Sequence, residues 1–116
     1  MSVNDTSSRD DDWLTSLMYF QDTLRTLRMS AEEQVEAVGG PNASWELRQD
    51  ALDFCEALIS APDDRLGVKL KDHIQVLLKE LKNLPEDAFQ GEAIKALRHP
   101  QWTSIRGLAE ALLLCM

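Results

Sequence analysis

Trp13-Leu14-Thr15-Ser16-Leu17-Met18-Tyr19-Phe20-Gln21-Asp22-Thr23-Leu24-Arg25-Thr26-Leu27 decides the fold class. Trp13, Leu17, Phe20, Leu24 and Leu27 recur at spacings of four, three, four and three, which is one stripe of an amphipathic helix. Upstream, Asp10, Asp11 and Asp12 suit a helix start, because carboxylates cap free N–H groups and favour the positive end of the helix dipole. Residues 1–9 lack periodicity and are rich in Ser, Asn and Asp, so they read as a disordered acidic tail ahead of one helical-bundle domain over 10–116. Downstream, Ser30-Ala31-Glu32-Glu33 has the form of a capping box and offers a second helix start. The stripe nevertheless runs on in phase through Ala31, Val35 and Val38, which favours one long helix bent near Ser30. Gly39-Gly40-Pro41 ends it, since Gly accepts a left-handed cap and Pro cannot continue the ladder.

The same logic divides the rest. A second helix starts near Asn42 or Ser44, with Leu47, Ala51, Phe54, Cys55, Leu58 and Ile59 on its apolar face, and stops at Pro62. A third, capped by Asp63 or Asp64, carries Leu66, Leu70, Ile74, Leu77, Leu81 and Leu84 up to Pro85. The fourth segment, 86–98, holds Gly91 and divides readily into two short pieces. His99-Pro100 separates it from a last helix over 101–114, where Trp102, Ile105, Leu108, Ala109 and Leu112 form one face and Gly107, Ala111 and Leu114 a second. A helix apolar nearly all round is expected to be the central one of the bundle, or else a self-association surface. Arg106 and Glu110, four residues apart, are placed to pair with each other. No stretch shows strand alternation. The expected fold is all-α, a compact antiparallel bundle of four to five helices joined by short links.

Size and composition fit one domain: 116 residues, 44% hydrophobic, with no apolar run near the ~20 residues that span a bilayer. The acidic N-terminus is the opposite of a signal peptide, and two cysteines make no disulfide framework, so a cytoplasmic protein is expected. Cys55 lies on an apolar stripe and reads as a buried thiol. Net charge is −8, and all of the imbalance lies in residues 1–62, which hold twelve acids and four bases; residues 63–116 hold eight of each. Such a field repels nucleic acid and anionic membranes and attracts basic partners.

No catalytic, cofactor or metal motif is present: HExxH, CxxC, a phosphate loop and a serine elbow are all missing. His73, four residues after Lys69, invites comparison with phosphotransfer domains, but Val76 and Leu77 stand where those domains place Lys and then Gly. Trp13, Trp45 and Trp102 each sit near an expected helix start. Trp45 points away from the core stripe, beside Glu46, Asp50 and Asp53 on one polar face, with Glu56 beyond. An aromatic beside a carboxylate row suits docking on a basic protein. The leading expectation is therefore a small acidic protein-binding module of the immunity-protein, antitoxin, inhibitor or chaperone type, using Trp45, Glu46, Asp50, Asp53 and Glu56. The alternatives are a scaffold protein that dimerises through its last helix and, lastly, a His73 phosphotransfer component.

Overall fold

The computed structural model describes residues 2–60 and 67–116, with side chains from Trp13 onward. The described residues form six α-helices, one short 3-10 turn and no strand. The helices are α1 (Ser2–Leu27), α2 (Ala31–Val38), α3 (Ala43–Ile59), α4 (Val68–Lys82), α5 (Ala93–Leu97) and α6 (Gln101–Cys115), and the 3-10 turn is Glu86–Ala88. The four long helices close a ring: α1 packs on α3 and α6, and α4 packs on the same two. Short α2 and α5 lie against α3 and against each other. The all-α bundle expected from the sequence is therefore found. No described helix is long and apolar enough to cross a membrane.

The core follows the stripes. Phe20, Leu24 and Leu27 of α1 meet Leu47, Ala51, Cys55 and Leu58 of α3, Ile74, Leu77 and Leu81 of α4, and Trp102, Ile105, Ala109 and Leu112 of α6 in one cluster. Each fully buried Leu, Ile or Phe removes enough apolar surface from water to contribute roughly 1.5–3 kcal/mol. Trp102 is wholly buried, and its indole Nε1–H donates to Ala88 O at 2.6 Å, so its one polar atom is satisfied. The caps expected at Asp63 and Asp64, the stop at Pro62 and the stripe position Leu66 lie outside the described residues, as do the side chains of Asp10, Asp11 and Asp12.

Four expectations change. First, α1 begins at Ser2, ahead of the expected helix start at Asp10, so Trp13 lies inside a helix rather than at its start.

Second, the chain does break at Ser30. Ser30 is extended (φ −65°, ψ 163°), its Oγ accepts from Glu33 N at 3.2 Å, and Glu33 Oε1 accepts from Ser30 N at 3.3 Å. Wholly buried Gln34 reaches back from α2, donating through Nε2 to Thr26 O (3.1 Å) and Leu27 O (2.9 Å). The bond to Leu27 O serves a carbonyl that the end of α1 leaves open, while Thr26 O also accepts from Met29 N. In-phase apolar residues could not reveal this, because both sides of the corner face one core.

Third, α6 is not central. Only one of its faces is buried, and Leu114, on the other, is 81% exposed.

Fourth, Arg106 does not pair with Glu110. Glu110 takes Arg28 at 3.1 Å, while Arg106 donates to Met29 O (2.8 Å), Gln34 Oε1 (3.0 Å) and Leu97 O (2.6 Å). Burial pulls its guanidinium below the usual arginine value, opposed by the charge of Glu32.

The segment after Pro85 is indeed two pieces, parted near Gly91, whose φ of 82° suits glycine. Asn42 precedes α3 without a side-chain cap, and the buried Ser44 hydroxyl instead donates to Phe89 O at 3.2 Å.

Arg106→Ala strands two carbonyls and an amide oxygen in a half-buried corner, and should cost about 2–4 kcal/mol in urea unfolding. Arg28→Ala, which removes only an exposed pair, should cost about 0.5 kcal/mol or less. Equal losses for the two variants would refute the corner's importance.

Candidate functional site

Helix α3 carries the row singled out in the sequence, and the ring of helices divides that row. Glu46 and Asp50 lie on the flank beside α1. With Tyr19, Asp22, Thr23 and Thr26 of α1, Ala37 and Val38 of α2, and Leu47 and Phe54 of α3, they line a groove of about 410 Å³. Asp53 lies outside this groove, its Oδ1 accepting from Gln49 Nε2 at 3.0 Å. Glu56 turns to the α4 side and pairs with Lys82 at 3.7 Å. Trp45 is 47% exposed but faces a separate hollow of about 390 Å³, with Asn42, Phe89, Gln90 and Gly91.

The groove owes its shape to three elements. Tyr19 of α1 and Phe54 of α3 stack at 6.4 Å between ring centroids and 25° between planes, bridging the two helices at its edge. Ala37 and Val38 form a third wall because α2 turns at Ser30 and stops at Gly39, whose φ of 75° ends the helix as its N–H donates to Val35 O. Three carboxylates, Asp22, Glu46 and Asp50, and no basic side chain are among the lining residues. Asp22 is held by Arg25 at 2.6 Å. Glu46 and Asp50 have no ion pair or side-chain hydrogen bond among the described residues, unlike Glu32 with Arg98, Glu92 with Lys95 and Glu110 with Arg28. The Arg98 hydrogen bond holds the Glu32 carboxyl below the usual carboxylate range.

Sequence reasoning missed Tyr19, Asp22 and Val38 as groove residues. Tyr19 and Asp22 lie off the α1 stripe, and which flank of α1 meets α3 depends on the closure of the ring. Phe54 was visible, but as an ordinary core position.

The remaining reactive groups are scattered. His73 Nδ1 is 2.9 Å from Lys69 O and lines a hollow with Gly67, Val68, Leu70 and Cys115, with no carboxylate among the lining residues. His99 Nδ1 accepts from Gln101 N at 3.2 Å and so serves the start of α6. Among the described residues no three His, Cys, Asp or Glu are grouped to hold a metal.

No family model, curated protein or solved structure matches the chain.

Cys55 is wholly buried and Cys115 exposed. Desolvation, helped by the charge of Glu56, pushes the Cys55 thiol from its ordinary 9.0 up to about 12. The thiolate is the reactive form, so at pH 8 a disulfide reagent should label one thiol per chain quickly and the second only on unfolding. Because the unfolded thiol ionises first, this group's contribution to stability is full below about pH 9 and is lost as pH rises towards about 12. Labelling of both thiols at one rate in the folded protein would contradict this burial.

Proposed function

We propose that this protein is a small acidic protein-binding module that neutralises or chaperones a basic partner in the cytoplasm, as an immunity protein, antitoxin, inhibitor or chaperone does. It acts by surface complementarity, and its docking face is the α1–α3 groove. One observation carries this reading. Glu46 and Asp50 have no side-chain partner among the described residues, and they stand on a concave, partly aromatic surface with no base among its lining residues. A carboxylate left without an internal partner keeps its charge available to an incoming cation. A concave wall with apolar residues adds area that can be buried around it. The net charge of −8 extends the attraction to the encounter step, where complementary fields raise association rates.

The site differs from the one read along the sequence. Glu46 and Asp50 stay in it, Asp22, Tyr19 and Phe54 join it, and Asp53, Glu56 and Trp45 lie beside it. The Trp45 hollow borders the same helix and would extend the interface towards Phe89 and Gly91.

A second reading has its own observation. The outward face of α6, with Gly107, Ala111 and the 81% exposed Leu114, could seat a second copy of the chain. Sedimentation at high micromolar concentration decides it, since a strict monomer removes this reading.

For the docking reading, the protein is immobilised and a lysate of its source is passed over it at low salt. A single basic protein, released as salt rises, is expected. Glu46→Lys with Asp50→Lys should lower the association rate for that protein about tenfold or more, because charge steers encounter. The melting temperature should be unchanged, since both side chains are exposed. Asp72→Lys with Asp87→Lys, away from the groove, should have little effect. Equal effects from the two pairs would remove the groove from the account.

A further inference from the structure

We propose that the groove takes one arginine side chain of the partner, its guanidinium plane lying on the Tyr19–Phe54 pair and its N–H groups donating to Glu46 and Asp50. This rests on the docking reading above and names what the groove selects. A bare acidic patch attracts any cation, so the selectivity must come from the walls. Tyr19 is 58% exposed and Phe54 half-buried, so the stacked pair keeps aromatic surface open at the edge of the groove. Arginine is the basic side chain that is planar, weakly hydrated and able to lie on an aromatic ring while its N–H groups meet carboxylates. Lysine offers a compact, strongly hydrated charge that gains less from such a wall.

The chain already uses both halves of this chemistry within itself. The Arg25 guanidinium meets Asp22 at the groove at 2.6 Å, and the Arg48 guanidinium lies over the Phe89 ring, 4.2 Å from its centroid. Glu46 and Asp50 sit one helical turn apart on α3, so both reach one concavity from the same side. Leu47 and Val38 supply apolar wall for the aliphatic stem.

Three short peptides with neutral ends test this, identical except for arginine, lysine or citrulline at the centre. Citrulline keeps the shape of arginine without its charge. Each is titrated into the full chain, labelled for heteronuclear NMR. The arginine peptide should shift resonances of Tyr19, Asp22, Glu46, Asp50 and Phe54, and should bind about threefold or more tighter than the lysine peptide. The citrulline peptide should bind at least about tenfold more weakly than the arginine peptide. Tyr19→Ala should erase the preference for arginine over lysine, and Tyr19→Phe should keep it. Asp50→Asn should weaken both cationic peptides. No shift at millimolar arginine peptide, or equal affinity for arginine and lysine, overturns the proposal. Failure here with retention of the basic protein intact would sink the arginine assignment alone, and loss of that retention would sink the docking reading beneath it.

Discussion

A single guanidinium holds the corner on which the groove depends. Arg106, on α6, joins Met29 at the end of α1, Gln34 on α2 and Leu97 at the end of α5. Helix ends leave carbonyls without intrahelical partners, and those taken out of water must find others. From the α2 side Gln34 donates to one more, Leu27 O, and to Thr26 O, which also accepts from Met29 N. Together with the capping box at Ser30, these bonds make a sharp turn out of a sequence whose apolar phase would allow a continuous helix. The turn carries Ala37 and Val38 to the edge of α3, where they become a wall of the groove. Arg48 does similar work at another end, donating to Leu81 O in the last turn of α4 while stacked on Phe89. Burial draws its guanidinium below the usual arginine value, as it does that of Arg106.

The same use of arginine and lysine explains why the groove stays acidic. Among the described residues Lys82 pairs with Glu56, Lys95 with Glu92 and Arg98 with Glu32, while Arg106 serves the corner. None of these bases lines the groove, although Glu32 and Glu56 belong to the acidic first half. On α3, Glu46 and Asp50, without a side-chain partner among the described residues, fall on a flank that is also concave and aromatic. An even spread of these charges would favour solubility alone. Their placement beside Tyr19 and Phe54 is what favours a docking function.

Much of the fold is legible in the residues. The spacing of Phe20, Leu24 and Leu27, and of Ile74, Leu77 and Leu81, marks the buried faces. Gly39-Gly40-Pro41 marks a stop, and Gly91 marks the split before α5. What periodicity hides is any break between two segments that face one core, as at Ser30, where only the capping box signalled it. Composition misled at α6, because Gly107, Ala111 and Leu114 look buried by residue type, and all three are exposed outside the closed ring. The candidate site was half legible. The spacing of Glu46 and Asp50 puts both on one face of one helix. Asp53 and Glu56 share that helix but turn to other neighbours, and Tyr19 and Asp22 come from a different helix. A site built between helices is set by how they pack, which no single helix's pattern contains.

The most direct measurement is hydroxyl-radical footprinting of the protein alone and with its retained basic partner, read residue by residue. Reactive side chains are well placed for it, with Tyr19 and Phe54 in the groove and Leu114 and Cys115 on α6. If the groove is the docking face, Tyr19 and Phe54 become protected in the complex while Leu114 and Cys115 react as before. Protection of Leu114 and Cys115 with Tyr19 and Phe54 unchanged would contradict the account.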